Sequence, residues 1–128
     1  MAKKLLLLLL SIIFVFSACT KAPANNFKTA DEKTFSLCIS APSENIQKTQ
    51  DYTSSYVYLG DFLEAEGLIE FENSTYGRYI HSVDGISDNP DESLWWTVYV
   101  NGESALTGVD KIKLETEKEY KLELTKIE

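Results

Sequence analysis

The segment Leu94–Val100, followed by Asn101-Gly102, constrains the fold of this chain more than any other part of its sequence. Successive side chains of a β-strand point to opposite faces, and here one face is apolar throughout. That face carries Trp96, Val98 and Val100. The other face carries Trp95, Thr97 and Tyr99. Asn-Gly is a favoured two-residue hairpin turn, so we predict a strand whose Trp96 face packs on the core and whose Trp95 face stays open.

Four further segments have the composition or the alternation of strands. They are Thr34–Ser40, Ile46–Tyr52, Tyr76–Val83 and Glu119–Ile127. The first alternates apolar and small residues with the period of a half-buried strand. The second is mostly polar, which is typical of an exposed edge strand that must resist aggregation.

One helix is predicted at Leu59–Glu66, because Leu59, Phe62 and Leu63 recur at the spacing of a single apolar stripe. Gly67 follows as the residue that ends the helix. The resulting order, β-β-α-β-β-β, predicts an α+β fold. We expect one helix packed on a mostly antiparallel sheet in a β-grasp-like arrangement.

The first 18 residues have the composition of a secretory signal. Lys3 and Lys4 precede an apolar run that is shorter than the roughly 20 residues of a membrane-spanning helix. Phe16-Ser17-Ala18-Cys19 then resembles the cleavage site of a lipoprotein signal peptide. We predict a signal peptide at 1–18, a lipidated flexible tether at 19–33 and a folded domain at 34–128. Acyl chains on Cys19 would hold this domain on the extracytoplasmic face of the cell membrane. The alternative is an ordinary secretory signal followed by a free cysteine.

The charge of the chain disfavours one class of partner. With 20 acidic and 12 basic residues the net charge is −8, and loss of two lysines with the signal would bring it to −10. Nucleic acid recognition needs basic patches that neutralise phosphates. We therefore expect no nucleic acid partner.

No residue pattern indicates catalysis. Beyond Cys19 the chain has one thiol, Cys38, and its single histidine, His81, lies far along the sequence with no motif to join them. Ser82 follows His81 directly, and adjacent strand side chains point to opposite faces, so the two cannot form a nucleophile–base hydrogen bond. We expect a binding protein rather than an enzyme, without a covalent cofactor.

Several segments together resemble a known family. They are Leu59-Gly60-Asp61-Phe62-Leu63, Tyr76-Gly77, Ser82-Val83-Asp84-Gly85-Ile86, Trp95-Trp96-Thr97-Val98-Tyr99-Val100-Asn101-Gly102-Glu103 and Gly108-Val109-Asp110. In this order they are similar to the transcobalamin-like C-terminal domain, the DUF4430 family, over about Phe35 to Ile127. The resemblance implies a β-rich domain whose ligand is a corrinoid such as cobalamin. In the animal cobalamin carriers, the ligand lies between this domain and a larger helical barrel.

The predicted ligand site is an aromatic surface made by Trp95, Tyr99 and Tyr79, because flat rings with a polar handle suit a planar ligand or a protein partner. The turn from Ser82 to Ile86 forms its rim, and the rim residues taken as ligand contacts are Ser82, Asp84 and Gly85. The alternative is that the rings only complete a small core.

Other interpretations of the sequence stay open. His81 could ligate the cobalt of a corrinoid, and the acidic loop from Asp84 to Glu92 could hold a cation, although we predict no metal site of the protein itself. The competing function is a protein-interaction or adhesion accessory module of the cell surface, with or without a stabilising cation. A surface protein partner could also supply the missing part of a corrinoid site.

Overall fold

The computed structural model describes residues 28–127. Within them lie eight strands, β1 to β8, and one α-helix, α1. The strands are β1 Lys28–Ala41, β2 Ile46–Tyr56, β3 Ile69–Ser74, β4 Gly77–Val83, β5 Ile86–Ser87, β6 Leu94–Val100, β7 Glu103–Ser104 and β8 Glu119–Lys126. Helix α1 spans Leu59–Ala65, and short 3₁₀ helices occupy Pro42–Glu44, Pro90–Glu92 and Val109–Lys111.

The larger sheet has five strands in the order β2-β1-β8-β6-β7. Its central pair, β1 and β8, is parallel, with Leu37 opposite Tyr120, and the other pairs are antiparallel. Asn101 and Gly102 turn between β6 and β7 with φ of 50° and 83°. Positive φ at both positions is what a type I′ hairpin turn requires, so the predicted turn is confirmed.

A second sheet of three strands, in the order β3-β4-β5, lies outside the first. Strand β3 was not predicted from the sequence, and Tyr79 was predicted in the same sheet as Trp95. Glu70 and Glu72 alternate with Ile69 and Phe71 along β3, and glutamate has low strand propensity. The strand exists because its backbone pairs with β4, from Ile69 opposite Val83 to Ser74 opposite Gly77.

The core lies between the inner face of the five-stranded sheet and α1. The fully or nearly buried apolar side chains include Phe35, Leu37, Ile39, Leu59, Phe62, Leu63, Val83, Val109, Leu114, Tyr120 and Leu122. The ring of Phe35 meets those of Phe62 and Tyr120 edge-on, with centroids 5.1 Å and 5.5 Å apart, a favourable aromatic geometry.

The two faces of β6 are arranged as predicted. Trp96, Val98 and Val100 are partly buried and pack against the core. This confirms that the Trp96 face points inward, and the alternation of a strand then places Trp95 and Tyr99 on the opposite face.

The coarse prediction of an α+β chain with one helix and mostly antiparallel pairing is confirmed. Several boundaries differ by one to six residues. Strand β1 begins at Lys28, before the predicted start at Thr34, because the β2 strand is long enough to pair with it, Lys28 lying opposite Tyr56. Helix α1 ends at Ala65, one residue early. The predicted signal peptide and Cys19 lie outside the described residues. Among residues 28–127, no helix is long and apolar enough to span a membrane.

Candidate functional site

A small open cavity lies where β4 of the smaller sheet approaches β6 of the larger one. Its volume is about 150 Å³. It is lined by Arg78, Tyr79, Ile80, Trp95, Trp96, Val98, Gly108 and Val109. Two of the three aromatic residues predicted as ligand contacts, Tyr79 and Trp95, therefore share one cavity although they belong to different sheets. We call this space the Tyr79–Trp95 cavity.

Trp96 fixes one wall of the cavity. Its indole Nε1 donates a hydrogen bond of 3.0 Å to the carbonyl oxygen of Ile86. Because Ile86 belongs to β5, this bond joins the smaller sheet to β6 and satisfies the indole N–H, as a buried indole requires.

Tyr79 presents a neutral phenol at the other wall. Its hydroxyl donates to Asp88 Oδ2 at 3.3 Å, and its ring meets the His81 ring edge-on with centroids 4.8 Å apart. Burial raises the pKa of Tyr79, and the nearby charge of Asp88 raises it further. The hydroxyl therefore stays protonated at neutral pH and can donate a hydrogen bond.

Tyr99, the third predicted aromatic contact, does not line the Tyr79–Trp95 cavity. Lys121 lies opposite it on β8, with the ammonium Nζ 4.6 Å from the centre of the Tyr99 ring. This is the distance of a cation–π contact. Tyr99 therefore contacts Lys121 on the outer face of the sheet.

The predicted rim residues lie around the β4–β5 turn. Ser82 is buried at the end of β4. The carboxylate of Asp84 forms an ion pair with Lys48 of β2 at 2.6 Å, and it borders a different cavity together with Leu37 and Tyr52. Gly85 has a φ of 80° and open space around it, so it serves the turn. Through Ile86, which accepts the Trp96 bond, this turn is linked to the Tyr79–Trp95 cavity.

His81 stands between two carboxylates. Its Nε2 lies 3.2 Å from Glu72 Oε2, and its Nδ1 lies 3.7 Å from Asp88 Oδ2. The two acids approach opposite nitrogens of the ring, so they do not converge on one point as metal ligands do. Throughout the described part of the chain, no group of three or more His, Cys, Asp or Glu side chains is arranged to hold a metal ion.

The structure also contains a cluster that the sequence analysis did not anticipate, centred on Arg78. Its Nη2 donates to Asp61 Oδ1 at 2.8 Å and to Glu64 Oε2 at 3.0 Å, while Nη1 donates to Asp110 Oδ1. The side chains of Arg78 and Asp61 are only 14% and 11% exposed. Three carboxylates from α1 and the last 3₁₀ helix therefore surround one cation of β4.

The guanidinium of Arg78 stays charged in this cluster. Burial lowers the pKa of Arg78, but hydrogen bonds from its guanidinium to Asp61 and Asp110 raise it more, so the net direction is upward. The ring of Phe71 lies 5.3 Å from the guanidinium carbon. Two glycines allow this packing, since a Cβ on Gly77 would stand 2.6 Å from Asp110 Oδ2, and a Cβ on Gly60 would stand 2.7 Å from Arg78 Nη1.

The sequence signal for this cluster was present in the resemblance itself. Gly60-Asp61, Gly77 and Asp110 belong to three of the separate segments quoted above, and Arg78 follows Gly77 directly. The fold brings these segments to one point. There Arg78 forms ion pairs with Asp61 and Asp110, which indicates that these residues stabilise the fold.

The comparison with protein families agrees with this geometry. Residues 57–126 match the model of the family described as Domain of unknown function (DUF4430). The chain belongs to the DUF4430 family. The match spans α1, the smaller sheet, strands β6 to β8 of the larger sheet and the Arg78 cluster. The resemblance predicted from sequence is confirmed.

Solved structures with this fold extend the DUF4430 comparison. A protein from Ruminococcus gnavus ATCC 29149, described as a candidate metal binding protein, has a TM-score of 0.71 and 23% identity, covering 75% of this chain and 99% of that one. Haptocorrin in complex with Cbi has a TM-score of 0.66 and 16% identity, covering 80% of this chain. This chain spans 27% of haptocorrin's length. At these identities the likeness shows the fold. Among curated proteins, none has a significantly similar sequence.

Proposed function

We propose that this DUF4430 chain is an extracytoplasmic binding lipoprotein that captures a corrinoid, or a small molecule of similar shape, at the Tyr79–Trp95 cavity. One observation carries the proposal. Tyr79 and Trp95 come from different sheets and line the same open cavity. Aromatic rings with a hydrogen-bonding handle suit a flat ligand that has polar edges.

The likeness to haptocorrin supports the choice of ligand. That structure holds Cbi, a corrinoid, and the shared fold makes a corrinoid the first ligand to test. The family resemblance found in the sequence also favours a corrinoid. A fold does not determine a function. The cavity therefore supports the site, and haptocorrin suggests only which ligand to test first.

The size of the cavity sets the expected affinity. Ligand pockets usually measure about 300–1,000 Å³, and this one measures about 150 Å³. It would hold one edge of a corrinoid and leave the rest in solvent. Association also costs translational and side-chain freedom. We expect a dissociation constant that is micromolar or weaker for the chain alone.

Titration of the full chain, purified in detergent, with cobinamide and cobalamin tests this function. Tryptophan fluorescence and the corrin absorbance would be followed, with free tryptophan as the inner-filter control. We expect saturable binding that Trp95→Ala weakens at least tenfold while the thermal melt is retained. Tyr99→Ala is the companion variant, since Tyr99 was predicted as a contact from sequence and lies off the cavity. Absence of binding at millimolar ligand would reject the proposed function.

Membrane attachment is the second part of the proposal. The support is the sequence Phe16-Ser17-Ala18-Cys19 behind an apolar run, which suits lipidation at Cys19 and anchoring by acyl chains. The Cys19→Ala variant should no longer be recovered in the membrane fraction of the cell. Unchanged processing and membrane recovery of that variant would reject the lipoprotein.

The β-grasp arrangement also belongs to this proposal. The parallel central pair β1–β8, with α1 following the β1–β2 hairpin and covering the inner face of the sheet, supports it. No catalytic activity is proposed, and the expectation of a binding protein stands with the function above.

A protein-interaction module of the cell surface remains the second candidate. Tyr76 and Leu106 favour it, since their side chains are 90% and 99% exposed, and exposed apolar groups gathered at one place mark interaction sites. If the corrinoid titration fails, this candidate takes first place, and a shift in thermal stability on adding calcium would show whether a cation stabilises the module.

A further inference from the structure

The two most exposed large apolar side chains of the described residues lie together. Tyr76, in the turn between β3 and β4, is 90% exposed, and Leu106, in the loop after β7, is 99% exposed. Both line one open cavity of about 570 Å³. Isolated exposed apolar residues are ordinary, but a contiguous group indicates a binding surface. We call this pair the Tyr76–Leu106 patch.

Two lysines stand beside the patch. Lys111 lines the same cavity, and Lys113 follows it along the chain. Ile112 and Leu114 are buried, so the exposed side of this segment carries the two lysines. Among residues 28–127, neither lysine forms an ion pair with a carboxylate. An aromatic ring with a hydroxyl, an aliphatic side chain and uncompensated ammonium groups are typical of a surface that lies at the headgroup level of a bilayer.

The patch lies toward the end of the larger sheet at which the described residues begin. Lys28, the first of them, pairs with Tyr56. Tyr58, two residues later, forms a β-bridge with Lys113. The lengths of these steps place Lys111 within about 25 Å of Lys28.

The predicted anchor reaches the same end of the domain. Lys28 is the ninth residue after Cys19, and a fully extended chain of that length spans about 30 Å. A lipid on Cys19 would therefore keep the Lys28 end near the bilayer. An anchor this short also raises the effective concentration of the patch at the lipid surface, so a weak contact is enough to hold the domain there.

We propose that the Tyr76–Leu106 patch enters the lipid surface to which the chain is anchored, an inference that rests on the membrane attachment proposed above. The two apolar side chains lie just below the headgroups, and Lys111 and Lys113 contact the lipid phosphates. The net charge of −8 opposes attraction to an anionic bilayer over long distances, so the contact depends on the anchor. The position of the patch near the tether favours a lipid surface over a protein partner, and the contact holds the domain in one orientation.

Lipids with bromine on the upper part of the acyl chain test this contact, because bromine quenches tryptophan fluorescence only at close range. The acylated chain purified from cells would be placed in vesicles of phosphatidylcholine with a minor share of phosphatidylglycerol. Leu106→Trp puts a reporter in the patch. Ser43→Trp is the matched control, because Ser43 is exposed in the 3₁₀ helix that follows β1, at the opposite end of the larger sheet from Lys28. After subtraction of the parent signal, the reporter at position 106 should be quenched at least about twice as strongly as the one at position 43.

A charge reversal tests the lysines. Lys111→Glu, combined with the reporter at position 106, should reduce its quenching about twofold, because the new carboxylate is repelled by the anionic lipid. Lys126→Glu makes the same change at an exposed residue of β8 near the far end of the sheet, and it should leave the quenching unchanged.

Flotation of the parent chain with the vesicles separates the inference from the proposed function. A chain that does not float rejects membrane attachment and the inference with it. A chain that floats, with equal quenching at positions 106 and 43, overturns the inference, leaves the anchor in place and assigns the patch to a protein partner. Quenching at position 106 that Lys111→Glu does not change overturns it as well. Stronger quenching at position 106, weakened by Lys111→Glu and not by Lys126→Glu, supports the inference.

Discussion

The carboxylate of Asp110 accepts hydrogen bonds from two parts of Arg78, its backbone N–H at 2.8 Å and its guanidinium. A single side chain of the last 3₁₀ helix therefore holds both the backbone and the side chain of β4. Because Arg78 also binds Asp61 and Glu64 of α1, the pair joins the helix to the smaller sheet beside the Tyr79–Trp95 cavity, which Arg78 lines.

Removal of Arg78 should destabilise the chain strongly. Arg78→Met would leave the buried carboxylate of Asp61 without its cation, and breaking a buried ion pair costs about 3–5 kcal/mol. The free energy of unfolding from urea denaturation measures the effect. Lys126→Met is the matched control, because Lys126 is exposed at the end of β8 and should change stability by less than about 0.5 kcal/mol. A loss of that small size in Arg78→Met would show that the cluster is not a stabilising element.

Gly60→Ala should destabilise the chain, although alanine is favoured over glycine in a helix by about 1 kcal/mol. A Cβ at this position would overlap Asp110 Oδ1 and lie 2.7 Å from Arg78 Nη1. Overpacking of this kind costs about 1–3 kcal/mol. In the double variant Gly60→Ala with Asp110→Ala, the penalty of the Gly60 change should be smaller, because the carboxylate is gone while Arg78 Nη1 remains. Thermal or urea melts of the four chains of this cycle give the coupling, and a stabilising Gly60→Ala would contradict the packing.

Tyr120 should make the fold sensitive to alkali. Its hydroxyl donates to the carbonyl oxygen of Lys113 at 2.8 Å and accepts from the Glu115 N–H at 2.9 Å. Burial raises its pKa from the ordinary value of 10.0. Since the folded state holds the proton more tightly than the unfolded state, this contribution is complete below pH 10 and is lost as pH rises through the folded pKa.

The measurement is the free energy of unfolding between pH 8 and pH 12. The parent should lose stability above about pH 10, and Tyr120→Phe should show a smaller loss, although it begins from a lower value because two hydrogen bonds are gone. Tyr76→Phe, at an exposed position, is the control and should follow the parent. Equal alkaline slopes for the parent and Tyr120→Phe would contradict this role.

Local sequence patterns predicted the elements whose side chains alternate cleanly. β6 was predicted with its observed bounds, and its Trp96 face was correctly assigned to the core. Helix α1 begins at the predicted Leu59. In both elements the spacing of the apolar residues indicates which face is buried. The Asn101-Gly102 turn was predictable for a similar reason, because few residues accept positive φ at two successive positions.

Pairing between distant strands could not be predicted in this way. β3 is held by its partner β4, and its alternating glutamates hide it from a pattern based on apolar residues. Because β3 was missed, the division into two sheets was missed too, and Tyr79 was expected on the outer face with Trp95 and Tyr99. In the structure, Tyr79 and Trp95 both border a cavity where the two sheets approach each other, while Tyr99 packs with Lys121.

The Arg78 cluster shows a third limit. Each of its members was visible in the sequence as a separate charge or glycine, and solvated charges on a surface are the ordinary case. Only the fold shows that one guanidinium serves three carboxylates. The short Gly-Asp, Gly-Arg and Val-Asp segments were informative, but their meaning depends on contacts between residues far apart in the chain.

Amide hydrogen exchange with and without saturating cobinamide tests the central claim most directly, because it reports where a ligand sits. We expect slower exchange in β4 near Tyr79, in β6 near Trp95 and in the loop around Gly108, because all three line the Tyr79–Trp95 cavity. Exchange in the outer strand β2, Ile46–Tyr56, should be unchanged. Protection of β6 and β8 around Tyr99 and Lys121 without protection of β4, or no protection anywhere at saturating ligand, would contradict it.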